Sequence, residues 1–452
     1  MSTAAHWRVV QWRSRTTFIL ALSASAVGLG NLWRFSYLSG EHGGGPFIVA
    51  YIACLFLIAV PLMIAEVVLG HQGRAGPVVS IRLAADRSGR SRGWMLVGAL
   101  ACVTGMLILA FYAVVGGWAL AYAHSMYLGA FSALPAVEVG EHFLQLLERT
   151  RGQIYWQSLF LAAATGVLII GVRRGLGLLV WLAVPALLAL LGYLIGYGFE
   201  HGDMRAAGDF LFSTRLVDFS PHSALVALGH AFYTLGVGVG TGICYGAYAP
   251  DRIPVGRSVV AVAVFDTMIA LAAGLAIFPI VFANNMEAAM GPGLMFVSLP
   301  YAFGSLAQGD LYGTLFFLLV VVAALGSAVA ILEPCVSALM QHLRMHRVTA
   351  ALLAGTVVWL LGVAVVFSLH PDAVPSWYGN RNLFELLDAV STDFLLPLVG
   401  LLTAILVGWR LRPDLLREHL QRESPAFFAF WRMLLRYVVP PAIGLLLLAP
   451  LW

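Results

Sequence analysis

Apolar runs of about 20 residues, the length that crosses a bilayer as a helix, recur along the whole chain, separated by short polar, arginine-bearing or acidic stretches. Eleven spans are predicted, at about 14–38, 46–71, 93–127, 154–171, 176–199, 221–249, 256–283, 310–342, 347–369, 383–410 and 427–451. The alternating ten-residue strands of a membrane barrel are not the pattern seen. Two runs break their own rule. Ala24 to Arg34 carries Gly28, Gly30 and Asn31 inside the first span, and His230 to Tyr245 carries glycines at 236, 238, 240 and 242 inside the sixth. Glycine disfavours a helix interior, and hydrocarbon penalises any backbone group left without a partner. A broken helix survives at membrane depth where its freed carbonyls and amides face a cavity or a ligand.

Composition agrees with a polytopic, all-α membrane protein: of 452 residues 60% are hydrophobic and 11% charged. The basic residues are all arginine, and they orient the chain. Arg8, Arg13 and Arg15 precede span 1; Arg74, Arg82, Arg87, Arg90 and Arg92 follow span 2; Arg173 with Arg174, Arg252 with Arg257, Arg344 with Arg347, and Arg410, Arg412, Arg417 and Arg422 mark later loops of the same side. The opposite loops carry Glu138, Glu141, Glu148, Glu200, Asp203, Asp209 and Asp218. The positive-inside rule then places the N-terminus in the cytoplasm and, with an odd number of spans, the C-terminus outside, in a cell (inner) membrane. Topology accounts for the net charge of +4, so no nucleic-acid partner is called for. Cys54, Cys102, Cys244 and Cys335 all fall in apolar runs, which argues against a disulfide framework. The first span is too long, and too soon followed by another, to be a cleaved signal.

Spans 1 and 6 open two successive groups of five. An odd number per group makes the second run through the membrane inverted, and paired interruptions in inverted halves point to the binding site of a secondary transporter. The expected organisation is one domain over 1–452, with repeats at 14–199 and 221–410 and a peripheral helix at 427–451.

The motifs carry a resemblance over essentially the whole chain. Trp12-Arg-Ser-Arg15, Ala26-Val-Gly-Leu-Gly-Asn-Leu-Trp-Arg-Phe35, Gly43-Gly-Gly-Pro-Phe47 and Pro61-Leu-Met-Ile-Ala-Glu66 are followed in order by further matches. These are Phe111-Tyr-Ala-Val-Val-Gly-Gly-Trp118, the Phe232-Tyr-Thr-Leu-Gly236 run, Phe265-Asp-Thr267, Gly291-Pro-Gly-Leu-Met-Phe-Val-Ser-Leu-Pro300 and Ser327 to Pro334. Together they resemble the neurotransmitter:sodium symporter family, in its prokaryotic eleven-helix branch. The resemblance implies ten core helices in a 5+5 inverted repeat with discontinuous helices 1 and 6, and Na+-coupled symport of an amino acid by alternating access at a midplane site.

Carried over residue by residue, the first sodium site falls on the Ala26 carbonyl, the Asn31 side chain, Thr234 and Asp266, the substrate carboxylate completing it. Asn31 as a packing residue is the plain alternative. A carboxylate within a span usually marks an ion path or a buried pair. Many animal members have Asn where this chain has Asp266, and use a bound chloride, held partly by a Ser one turn on; here that residue is Ala270. Chloride independence is expected. The second sodium site falls on carbonyls of Ala24, Val27 and Ala323 with two adjacent hydroxyls, but those two positions read Gly326-Ser327, so one hydroxyl is missing. One or two coupled Na+ both remain open, as does Ser327 as a back-bonded helix serine.

For the substrate, the resemblance implies that Tyr112 donates its hydroxyl to the carboxylate, assisted by the Leu29 and Gly30 amides. The amine meets carbonyls near Ala24, Tyr233 and Thr234, with the Ser25 hydroxyl close by. Ala26 and Phe232 join this set, and Ile108, Tyr233, Gly236, Val239, Ser327 and Ile331 line the side-chain pocket. Monoamine carriers of the family place an Asp where this chain has Gly28, which argues for substrates that keep their carboxylate. The small Gly236 and Val239 leave room for a large aliphatic or aromatic side chain.

The outer gate is expected at Arg34 and Asp388, with Asp393 as the neighbouring choice and Tyr112 with Phe232 or Tyr233 as the lid. The inner latch is expected at Trp12 and Arg8, but its usual acidic partner is Gln341, and the basic cluster has topogenesis as its alternative. Glu66 and Glu333 are read as internally hydrogen-bonded acids, with proton coupling the lesser reading, and His230 as a packed polar residue beside the first ion site. No nucleophile–base set, phosphate loop or Cys/His metal spacing suggests an enzyme. A non-transporting amino-acid sensor of the same fold is the alternative function, and a monomer or weak dimer in the lipid bilayer the expected state.

Overall fold

The computed structural model describes residues 10–284, 286, 293–370 and 381–448, except for the side chain of Trp33. Nine continuous helices are long and apolar enough to cross a membrane: Gly45–Gly73, Arg92–Tyr127, Thr150–Ile170, Val172–His201, Val255–Ala283, Gly309–His342, Arg347–Ser368, Leu383–Arg410 and Pro425–Leu448. They are spans 2 to 5 and 7 to 11 of the predicted series. Span 1 is a pair of helices, Arg15–Ala26 and Gly30–Glu41, bent by 66°. Span 6 is likewise divided, into Pro221–Leu235 and Thr241–Tyr248. Among the described residues the nearest approach to a sheet is an isolated bridge between Gly44 and Thr214.

Each break has a local cause. In span 1 the backbone turns extended at Val27, and the Asn31 side chain bends back so that its Oδ1 accepts the Gly28 amide at 3.0 Å. In span 6, Gly236, Gly238 and Gly240 have φ of 62°, 93° and 77°, a left-handed run that L side chains resist. Gly242 serves otherwise: a Cβ there would lie 2.7 Å from Met63 Sδ, so this glycine admits span 2 to close packing. Both readings of a glycine-rich span thus apply, at different glycines. The far side of the break is held by Glu66, whose Oε1 accepts the Gly238 amide at 2.7 Å, the internal hydrogen bond expected of this acid.

The two broken spans lie antiparallel, the first half of span 1 beside the second half of span 6 and the second half of span 1 beside the first half of span 6. Spans 3 and 8 pack along each other opposite them. One helix the hydropathy pattern did not suggest, Pro77–Arg87, follows span 2 and approaches both groups: a Cβ at Gly98 would lie 2.7 Å from the Pro77 carbonyl carbon, and one at Gly240 3.0 Å from Pro77 Cγ.

Candidate functional site

The two breaks face each other across a cavity of about 540 Å³ that also touches spans 3, 8 and 10. Of the predicted substrate residues, Ser25, Ala26, Leu29, Gly30, Ile108, Tyr112, Tyr233, Thr234, Gly236, Val239, Ser327 and Ile331 line it. Two do not. Ala24 borders a separate crevice, and Phe232 is fully buried behind the cavity wall, its ring so close to span 10 that a Cβ at Gly400 would lie 2.9 Å from it. Neighbours on a helix point about 100° apart, so Tyr233 can face the cavity only if Phe232 faces away.

One end of the cavity is polar. The Tyr112 hydroxyl accepts the Leu29 amide at 3.4 Å, which leaves its own proton free for a ligand. A Cβ at Gly28 would lie 2.7 Å from Ser327 Oγ and 2.8 Å from that hydroxyl, so the backbone of span 1 approaches here as closely as glycine permits. Ser25 reaches the cavity, but its hydroxyl donates to the Leu22 carbonyl at 2.7 Å. The other end is apolar, formed by Ile108, Val239 and Ile331 with Leu396 of span 10, which sequence reasoning did not find. Leu235 and Thr241 were missed as well; the Thr241 hydroxyl donates to the Ala330 carbonyl at 3.0 Å.

Next to the polar end, Asn31, Thr234 and Asp266 converge. Asn31 Nδ2 donates to Asp266 Oδ1 at 2.8 Å, and the Thr234 hydroxyl donates to Asp266 Oδ2 at 2.8 Å. Tyr51 of span 2 adds a longer contact to Oδ2 at 3.4 Å, and was also missed. Its signal was one hydroxyl in an otherwise apolar run. With these protons directed at the carboxylate, lone pairs on Asn31 Oδ1 and Thr234 Oγ1 remain, the donor set a desolvated hard cation takes. His230 is buried alongside, its ring 5.6 Å from Phe35 and 5.5 Å from Tyr51.

The second predicted ion position differs in kind. Ala24, Val27 and Ala323 border a crevice of about 260 Å³ whose other walls are mostly aliphatic, including Val184, Leu187 and Val322. The Ser327 hydroxyl donates to the Val27 carbonyl at 3.2 Å. A Cβ at Gly326 would lie 2.7 Å from the Ala24 carbonyl oxygen, so the missing hydroxyl is replaced by a close backbone approach.

The predicted gates are partly redrawn. Arg34 lies over the Tyr233 ring at 5.0 Å, while Asp388 accepts the Thr392 hydroxyl at 3.1 Å; among the described residues no direct ion pair joins Arg34 to Asp388. On the arginine-rich side Trp12 is buried, its amide donating to the Tyr248 carbonyl at 2.8 Å and its indole to the Val172 carbonyl at 3.3 Å. Arg8 lies outside the described residues. Gln341 accepts the Gly76 amide at 3.0 Å, and the acid beside the Trp12 segment is Asp251, paired with Arg74 at 2.6 Å and accepting Gln11 Nε2 at 3.0 Å. Glu333 is not free: Arg347 clasps it with contacts of 2.5 and 3.0 Å, and the Tyr248 hydroxyl donates to it.

Residues 10–145 and 141–451 match the Sodium:neurotransmitter symporter family. The chain belongs to that family. It is 30% identical over 437 residues to an uncharacterized sodium-dependent transporter, YhdH, of Bacillus subtilis, the match covering 96% of each chain. It is 23% identical to the sodium- and chloride-dependent GABA transporter 2 of Homo sapiens, over 88% of this chain and 72% of that relative. Among solved structures, MhsT in complex with L-phenylalanine superposes with a TM-score of 0.88 at 34% identity, covering 97% of this chain and 99% of the other. This symporter is therefore a sodium-dependent membrane transporter, not an enzyme, with the broken-helix fold of its family.

Proposed function

We propose that this symporter carries an amino acid with a large apolar side chain, together with Na+ bound at Asp266, and does so without chloride. The observation that carries the reading is the cavity's division into two ends. The Tyr112 hydroxyl and the freed amides of span 1 suit a carboxylate, while Ile108, Val239 and Ile331 suit an apolar side chain. The crowding at Gly28 supports it too, because an Asp there would meet Ser327 and Tyr112 at once, so a decarboxylated amine would lack its counter-ion. The structural relative was solved with L-phenylalanine, a ligand of this class.

Asp266 supplies the negative charge that a chloride would otherwise bring, and the neighbouring Ala270 has no hydroxyl to offer one. We further propose one coupled Na+ per cycle: the Gly326 crevice is mostly aliphatic, and its single hydroxyl is already donating. The two repeats, 14–199 and 221–410, would move against each other around the ion and substrate, with the N-terminus in the cytoplasm and the C-terminus outside.

The test is uptake into proteoliposomes under an imposed Na+ gradient, scanning leucine, tryptophan, tyrosine, alanine and glycine. Na+-dependent accumulation of the large apolar members, equal in chloride and gluconate, is expected. Uptake confined to glycine, or a strict chloride requirement, would sink the respective part of the reading. A reversal potential corresponding to two Na+ per substrate would overturn the stoichiometry.

A further inference from the structure

The apolar end of the cavity is closed by a residue from outside the two broken spans and the helices facing them. Leu396 is 3% exposed and lines the cavity from span 10. It immediately follows a seven-residue π-helical turn, Ala389–Leu395, and precedes Pro397. Such wide turns re-aim the side chains that follow them and cluster at functional sites.

Its backbone is set against the break in span 6. A Cβ at Gly238 would lie 2.7 Å from the Leu396 carbonyl oxygen and 3.3 Å from its Cγ. The wall continues from there: Val239 is the next residue, and a Cβ at Gly105 of span 3 would lie 3.7 Å from Val239 Cβ and 3.2 Å from Ile331 Cγ2. Leu396, Val239 and Ile331 thus form one continuous apolar surface, with the glycines behind it leaving no slack on the span 6 side.

We propose that Leu396 is a specificity-determining residue, the stop that sets how long a side chain the cavity accepts. The inference rests on the amino-acid reading above. The backbone around it is fixed by Gly238, so changing the side chain alters the end wall while the polar end, built from spans 1 and 3, stays in place. A methylene or two at an apolar wall changes relative affinity by about tenfold or more.

The experiment is Na+-dependent binding of tryptophan, leucine and valine to the purified full-length protein in nanodiscs, comparing wild type with Leu396→Ala and Leu396→Phe. Leu396→Ala should raise tryptophan binding relative to valine by about tenfold. Leu396→Phe should lower that ratio by a similar factor while keeping valine binding. The half-saturating Na+ concentration should be the same in all three. Wild-type binding with the tryptophan-to-valine ratio unmoved in both variants, or all ligands shifting by one common factor, would overturn the role of Leu396 alone. Absence of Na+-dependent amino-acid binding by wild type would overturn the substrate reading and this inference with it.

Discussion

Asp266 and Glu333 are both fully buried carboxylates within spans, yet their surroundings are opposite. Glu333 is met by a guanidinium in two contacts and by a tyrosine hydroxyl. Asp266 is met, among the described residues, by the neutral donors of Asn31, Thr234 and Tyr51. An acid already paired to an arginine is part of the framework, and its charge is spent inside the protein. An acid ringed by neutral dipoles keeps its charge available to an incoming cation. The number of buried acids in a transporter therefore says less about coupling than the charge of what surrounds each one.

The largest effect should come from the paired acid. Glu333→Gln leaves Arg347 buried without its anion and should lower stability by about 3–5 kcal/mol, read as a loss of thermal stability in detergent. Combining Glu333→Leu with Arg347→Met should recover most of that loss. A stable Glu333→Gln protein with an altered Na+ response would reverse the comparison. Asp266→Asn should act the other way round. The folded protein should melt almost as before, while losing a charged interaction of about 1.5–3 kcal/mol raises half-saturating Na+ some ten- to hundredfold. Unchanged Na+ dependence would remove Asp266 from the ion site.

Gly326 tests the place where charge is not used. Gly326→Ala forces a Cβ against the Ala24 carbonyl and should cost about 1–3 kcal/mol of stability without changing the Na+ dependence of uptake. A tighter Na+ response in Gly326→Ser would show that a second ion position can be restored. The smallest effect belongs to His419, outside the spans, whose Nδ1 lies 2.9 Å from His71 Nδ1. Burial foremost, with Arg74 and Arg87, pushes its pKa below the usual 6.5, against a lesser upward pull from Glu418. The folded form then refuses a proton that the unfolded chain accepts, so stability is full above about pH 6.5 and declines as pH falls below it. Thermal melts between about pH 8 and pH 5 should show this decline, and His419→Asn should flatten it.

Much of this was legible in the chain itself. Long apolar runs located the spans to within a few residues, because membrane thickness fixes helix length and arginines punctuate the ends. The breaks were legible because glycine and asparagine at mid-span have few other uses. Contacts between distant segments were not. Tyr51, Leu396 and Asp251 reach the site or the Trp12 segment from other parts of the fold, and nothing in their local sequence distinguishes them from packing or loop residues. The misplacement of Phe232 has a simpler origin: adjacent residues of a helix face different neighbours, and only three-dimensional packing decides which of two aromatics looks inward.

The wide turn in span 10 bears on which insertions and deletions the chain can tolerate. Asp388 at its start and Leu396 at its end are held in their relative directions by one extra residue in the helix. Deleting a single residue between 389 and 395 would restore ordinary helical bonding and a straighter, locally better helix, yet rotate everything beyond it by about 100° against everything before. The helix would survive the deletion, while the vestibule and the floor of the cavity would fall out of register with each other.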